Sequence, residues 1–501
     1  MMTLDLSKNQ IADGLFVLTE ARGEPYRWPQ DGGGAFHFVG AYKESMAPIR
    51  DALLTMIRGA QRRIFVASFL IGDEALLAAL IEAAQRLRGG VYIITALDKD
   101  NLRRGLAQYE YQDGELESPE EQGKNFERLT TNGVYVRGHE SCHAKFAVVD
   151  EAIALVGSAN FVAKAFEWTG EANVVVRHPA QVRQLARLFT RLWYDGCRWE
   201  VPPGKSYSVV QRQPSPSPAA PELPQIREPG ILWSNGASET FLHQSICDLI
   251  ASARRHLLLA SYSVTGMSGK PHLLLEPLRQ AVERGVVVQM FVRQKNPSRS
   301  QRADLCALAD MGVEIHGDLQ NHAKGIIADG ERGALFSCNF DGQRGLDEGV
   351  EVGVRLDGDP ALTEFENYLQ HVIRHSNARY VRFPTLGDLD GRLAARWCRA
   401  WPLPHRLNLI CSPTMAAQFT TAAGTGPVLF EKQGNAVHLF AGRFGWSLKS
   451  HGETFVVEPV DADVDVLERL ELWLVSVQRP IAETNPPERG FCPATFTLLP
   501  Q

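Results

Sequence analysis

The sequence predicts an α/β fold built from two like sandwich halves packed together, followed by a smaller β-rich C-terminal domain, and three observations lead there. One phrase is written twice, His143-Ala-Lys145-Phe-Ala-Val-Val-Asp150 and His322-Ala-Lys324-Gly-Ile-Ile-Ala-Asp329. A second phrase is also duplicated: Gln61-Arg62-Arg63-Ile64-Phe65-Val66-Ala67-Ser68-Phe69 is echoed by Ala253-Arg254-Arg255-His256-Leu257-Leu258-Leu259-Ala260-Ser261-Tyr262. Around both echoes, helical patterns alternate with short apolar runs. Self-similarity on this scale marks two copies of one unit. The alternation marks sheets buried under helices.

In chain order, residues 1–40, with Gly32-Gly33-Gly34, read as a cap segment or edge strand; a glycine run with no helix after it is not a phosphate loop. The first half takes residues 41–201 and the second 230–378. Each echo follows a helical pattern, Ile49 to Gly59 or Leu242 to Ser252, and precedes another, Glu74 to Arg88 or Leu273 to Arg284. Strands follow at Val91 to Thr95 and Val286 to Val292. The first half has a longer spacing from echo to histidine, and the surplus is the acidic stretch Glu110 to Gly123, either a mobile loop at a site mouth or a plain solvated insertion. Residues 202–229 form a Pro/Ser-rich connector, extended and polar. From 379 to 501, Trp397, Trp401, Phe430, Phe440, Phe444, Trp446 and Trp473 are interleaved with turn residues. Strands are expected at Val428 to Lys432, Ala436 to Phe440, Thr454 to Val457 and Leu472 to Val477, with the aromatics as core. This accessory domain could also dock a protein partner.

Within an extended strand side chains alternate, so His143 and Lys145 point one way while Phe146 and Val148 turn to a core. Asp150 has the opposite parity and, with Glu151, forms the tight turn of a hairpin whose second strand is Ala152 to Val156; it reads as structural. Asp329 does the same at the head of a longer turn, Asp329 to Gly333. Each copy is then followed by a short turn and an asparagine, Gly157-Ser158-Ala159-Asn160 and Phe336-Ser337-Cys338-Asn339. Paired imidazoles and ammonium groups suit attack on a phosphodiester. A neutral imidazole is a nucleophile that the anion does not repel, and it forms a covalent phosphohistidine. A second imidazole protonates the leaving alkoxide and then activates the incoming water. Lys145, Lys324, Ser158, Asn160, Ser337 and Asn339 can hold the oxygens where charge gathers. The scheme requires no metal and no cofactor.

These motifs resemble the phospholipase D superfamily, whose signature HxKxxxxD followed by GSxN occurs in two copies per active site; the resemblance runs from residue 45 to residue 375. It implies that one histidine is the nucleophile and the other the acid, that a downstream glutamate braces the nearby imidazole, and that His143 is the nucleophile. Glu171 and Glu351 stand at the fitting spacing. The second copy departs from the pattern at Phe336, where glycine is usual, and at Cys338, which implies a narrower or asymmetric second half-site.

A net charge of −6 excludes a global basic field, although Arg293, Lys295, Arg299 and Arg302 could border a local polyanion path. Eight cysteines without a CxxC pair argue against a zinc site and a disulfide framework, and Cys142 and Cys338 are not expected to be catalytic. His139, His178, His316 and His371 have no partners that the sequence identifies and take no role. With no signal-like start and no long apolar stretch, the expectation is a cytoplasmic enzyme without a transmembrane segment. Two half-sites in one chain make a monomer sufficient. The sequence therefore leads first to a metal-independent nuclease on DNA or RNA. The alternatives are a phospholipid hydrolase or transphosphatidylase, and a partly degenerate binding scaffold.

Overall fold

Pro48 at the first turn and buried Ile49, Leu53, Leu54 and Ile57 along one face make Pro48–Gly59 an amphipathic helix, which delivers the chain to the first echo. Asp73 caps the next helix, Glu74–Arg86, by accepting the amide of Leu76 at 2.9 Å. Between them Ile64–Ala67 becomes a central strand, parallel to Val91–Thr95 and antiparallel to Phe146–Val149. The second half repeats this wiring: His256–Ser261 runs parallel to Val287–Arg293 and antiparallel to Gly325–Ala328. The computed structural model describes residues 2–5, 14–19, 24–27, 34–43, 47–97, 119–203, 209–295, 299–342, 344–383, 406–423, 428–433, 436–441, 443–461, 491–494 and 497–499.

The chain forms two compact units. One contains Arg22–Arg293 and Met311–His375, and so both copies of the repeated phrase. Its first sheet is nine-stranded, with Phe36–Ala41 at one edge and Val210–Gln211 at the other. Within the same unit, seven strands of the second sheet run from Gly230–Asn235 to Glu314–Asp318. One apolar core is shared between the halves: Phe146, Val156 and Val174 belong to the same cluster as Leu335, Val352 and Phe365. A second cluster, with Ala147, Val149 and Leu155, covers the other face of the first sheet. Phe146–Val149 is thus buried on both faces, and the expected division into a polar and a packing face does not hold. The polar chemistry lies at the strand's entry instead, where residues 143–145 have no regular structure.

Two short backbone crossings join the halves. His143 N–H donates to Val350 C=O at 3.0 Å and Val350 N–H to Ser141 C=O at 2.9 Å. In mirror image, His322 N–H donates to Gly170 C=O at 2.8 Å and Gly170 N–H to Gln320 C=O at 2.7 Å.

Several expectations are revised. The second acidic turn is no longer than the first: strands resume at Ile153 and at Arg332, and both turns have positive φ at their first two residues, Asp150 (+55°) with Glu151 (+57°) and Asp329 (+57°) with Gly330 (+74°). The end of the acidic stretch is a helix, Pro119–Thr131, while residues 98–118 lie outside the described residues. The connector, expected to be extended and polar, is anchored at Glu222. Gln184 accepts the amide of Glu222 at 2.9 Å and donates to its carbonyl, and Gln181 accepts the amide of Ile231 at 2.8 Å. The basic run is split between the end of Val287–Arg293 and the helix Arg299–Asp310.

The other unit contains Met1–Ala21, Gln294–Asp310 and Ser376–Gln501. Of the strands in the first 40 residues, Met2–Asp5 lies inside an eight-stranded sheet between Arg406–Ile410 and Thr497–Leu499, whereas Gly14–Leu18 and Phe36–Ala41 are edge strands. Val428–Gln433, Ala436–Ala441, Phe444–His451 and Thr454–Val460 form the rest of that sheet's meander, with Phe440 and Trp446 buried. Trp397, Trp401 and the expected strand at 472–477 lie outside the described residues.

Candidate active site

The two crossings place each histidine beside the glutamate of the opposite half. Glu351 follows Val350 and its Oε1 lies 2.7 Å from His143 Nδ1; Glu171 follows Gly170 and its Oε1 lies 2.8 Å from His322 Nδ1. The resemblance implied a brace for the nearby imidazole, whereas each glutamate here braces the histidine of the opposite half. The cause is local: each glutamate lies at the start of a strand, and the residue before it, Gly170 or Val350, pairs with the other half's histidine loop. With Nδ1–H donated to a carboxylate, the neutral tautomer carries its lone pair on Nε2.

Ser158 and Ser337 are not left to hold a substrate's oxygens. Ser158 Oγ donates to Glu171 Oε2 at 2.5 Å while accepting the amide of Ala172 at 2.9 Å; Ser337 Oγ donates to Glu351 Oε2 and accepts the amide of Val352 at 3.0 Å. Each serine fixes the carboxylate that fixes a histidine. Lys145 and Lys324 are buried, and each ammonium donates to its own histidine's carbonyl at 2.8 Å. Asn160 and Asn339 are different: their buried Oδ1 atoms accept no hydrogen bond from the protein. Asn160, Thr169 and Glu171 of the first half line one cavity with His322 of the second.

The echo phrase contributes residues that spacing did not single out. Ser68 accepts the amide of Phe161 at 3.2 Å, and Ser261 that of Phe340 at 3.0 Å, so each fixes the residue after a site asparagine. Next along, the Phe69 ring lies 5.4 Å from that of His143, and Tyr262 meets His322 edge-on at 5.0 Å. The ammonium groups lie over the same rings, Lys145 6.0 Å from Phe69 and Lys324 5.6 Å from Tyr262. The signal was present in the duplicated Ser-aromatic pair.

Asp150 and Asp329 sit at the far ends of the strands, roughly 20 Å of extended chain from the histidines. Asp150 accepts the amides of Gln61, Arg62 and Arg63 at 2.6, 2.7 and 2.9 Å; Asp329 accepts those of Arg254, Arg255 and His256 at 2.8, 2.7 and 3.0 Å. This explains why the two duplicated phrases travel together. Burial raises each carboxyl, but the three amides outweigh it and hold both below the usual range. Asp150→Ala or Asp329→Ala is expected to cost about 1–3 kcal/mol of stability, measured by denaturant titration, with turnover per folded molecule retained. The stabilisation is fully present above about pH 4, the unfolded carboxyl's range, and is lost as pH falls through the lowered folded values.

Burial pushes the His143 imidazole down to about 4, against the pull of Glu351 and with help from Lys145 and, from the other half, Lys324. The ring is therefore neutral at physiological pH. Burial would raise the Glu171 carboxyl, but His322, Lys324 and Ser158 hold it low. The Cys142 thiol is pushed by burial up to about 12, and Cys338 is raised well above its ordinary value, so neither supplies a thiolate.

Phe336 in place of glycine is part of a swap of sizes across a strand pair. In the first half Gly157 faces Asn173, whose Oδ1 would lie 2.0 Å from a Cβ at 157. In the second half the large residue, Phe336, is on the other strand and the glycine, Gly353, faces it. Both arrangements leave the serine–glutamate pair intact.

A family model described as cardiolipin synthase, phospholipase D-like domain, matches residues 53–193 and, a second time, 246–373. The chain belongs to the phospholipase D superfamily. Among curated superfamily relatives, cardiolipin synthase A of Yersinia pseudotuberculosis serotype O:1b (strain IP 31758) and that of Yersinia pestis biovar Antiqua (strain Angola) are each 28% identical over 231 residues. The match covers 43% of this chain and 45% of each relative, so the chain spans just under half the length of the curated relatives it matches. Among solved structures, phosphatidylserine synthase of Haemophilus influenzae Rd KW20 has the same fold, with a TM-score of 0.51 at 16% identity over 79% of this chain and 95% of that one. These findings overturn the first expectation from sequence, a nuclease with a nucleic-acid partner: the matched phospholipase D-like family and the curated relatives are named for phospholipid synthesis. Among the described residues no helix is long and apolar enough to cross a membrane, but an enzyme can work on lipid without spanning it.

Proposed function

We propose that this chain transfers a phosphatidyl group from one phospholipid phosphodiester to an alcohol acceptor, with His143 as nucleophile and His322 as acid and then base. The observation that carries this reading is the crossed pair of imidazoles, each oriented by a carboxylate of the other half, in a chain related to cardiolipin synthases. His143 Nε2 attacks phosphorus and the P–O bond to the head-group alcohol breaks. The departing alkoxide takes the proton of His322 Nε2. An incoming alcohol then yields its proton to His322, its oxygen attacks phosphorus, and the P–N bond to His143 breaks. The two lysines, each anchored on its own histidine's carbonyl, supply positive charge to the reacting phosphoryl group, and the free Oδ1 acceptors of Asn160 and Asn339 suit a hydroxyl donor of the substrate. Acceptor choice separates synthesis from hydrolysis: a second lipid's hydroxyl gives a transferred product, water gives phosphatidic acid. The proposed place of action is a bilayer surface.

Purified protein with phosphatidylglycerol vesicles in excess EDTA is expected to release glycerol and form diphosphatidylglycerol, read by mass spectrometry of extracted lipid. Phosphatidic acid as the sole product would make it a hydrolase, and unchanged lipid would end the reading. Because His143 protonates only near pH 4, the acid limb of kcat/KM for the free enzyme is expected there and not near 6.5, the ordinary imidazole value.

A further inference from the structure

One hydrogen bond in the first half-site has no counterpart at the matching position of the second, and we infer that Thr169 is a positioning residue that makes His322 the acid of the pair by sharing the carboxylate oxygen that braces it. Thr169 is buried, and its Oγ1 donates at 2.8 Å to Glu171 Oε1, the oxygen 2.8 Å from His322 Nδ1. Its other contact, the Ala165 carbonyl, is longer at 3.4 Å. Glu171 therefore faces three donors, Ser158, Thr169 and His322.

At the matching position, two residues before Glu351, stands Gly349. A Cβ there would lie 2.2 Å from the Arg344 carbonyl oxygen, so the second half's backbone leaves no room for a hydroxyl-bearing side chain. The asymmetry is built into the main chain. A carboxylate with a third donor has less charge to lend to the imidazole on its remaining lone pair, so His322 is the weaker base and gives up its Nε2 proton more readily. Around His322 the other charged or titratable groups are Lys324 and Tyr262, with Arg293 stacked on the Tyr262 ring at 5.0 Å and Lys164 lining the same cavity. Tyr368, near Glu171, is held neutral by burial. Lys324 also helps to hold the Glu171 carboxyl low, and it is the same in parent and variants. The inference rests on the two-imidazole reading above, though not on the substrate being a lipid.

The test compares Thr169→Val with Thr169→Ser on two soluble phosphodiesters. Bis(p-nitrophenyl) phosphate has a leaving group that needs no proton, whereas a glycerophosphodiester expels an alkoxide that does. For Thr169→Val, kcat on the glycerophosphodiester should fall about tenfold and its alkaline limb should move up by about one pH unit. KM and the rate of the first release of nitrophenol, before the phosphohistidine breaks down, should stay within about twofold of the parent. Thr169→Ser should restore both rate and limb. Equal losses on both substrates with an unmoved limb, or no turnover of the glycerophosphodiester by the parent enzyme, would overturn the inference. Cleavage of both diesters without phosphatidyl transfer would overturn the lipid reading alone.

Discussion

His143→Asn and His322→Asn are each expected to lower turnover by at least about a thousandfold, and the double variant to be scarcely worse than either, because groups that act as a unit are strongly non-additive. The two variants should fail differently. Without His143 no P–N bond can form, so no phosphorylated protein accumulates. His322→Asn retains the His143 ring, its Glu351 brace and the neighbouring lysines. Given a substrate with a good leaving group it should form the phosphohistidine and then stall for want of a base, and intact-mass measurement should show the adduct on His143. Near-parental turnover in either variant would rule out a mechanism that needs both rings.

Glu351→Gln is expected to abolish that adduct while Glu171→Gln preserves it, although Glu351 belongs to the half that does not contain His143. The amide can keep the shape of the contact to Nδ1 but not the charge that fixes the tautomer, and a loss of about 10²–10⁴ in rate is the expected scale for such a change. Glu171→Gln should instead impair the step that delivers the leaving group's proton. Labelling with bis(p-nitrophenyl) phosphate and locating the adduct by peptide mass decides the matter. An adduct lost in Glu171→Gln and kept in Glu351→Gln would mean that the bracing works within each half and that the crossed geometry is not the one used.

Much of the fold was legible because the duplication was: helices at Pro48–Gly59 and Phe241–Ser252 and the strands after them lie where the repeated periodicity put them. The histidines and glutamates named from the motifs lie against one another in the structure. What remained hidden was pairing across the two halves, since spacing along the chain says nothing about which carboxylate faces which ring. It also hid the serines' commitment to Glu171 and Glu351, because a hydroxyl beside a phosphate-like motif reads as a ligand until its acceptor is seen. The residue that accommodates Phe336, Gly353, was hidden for a related reason: it lies on another strand. Substrate class was the weakest reading, since the signature describes the phosphodiester and not the groups it joins.

The exchange of glutamates between the repeats also bears on how the enzyme comes into being. During synthesis the earlier repeat can fold while the later one is still emerging, yet its imidazole then lacks its counter-charge and its own carboxylate has no ring to orient. Reactivity toward phosphoryl groups is therefore withheld until both repeats have closed on each other, and completeness of folding becomes a condition of chemistry.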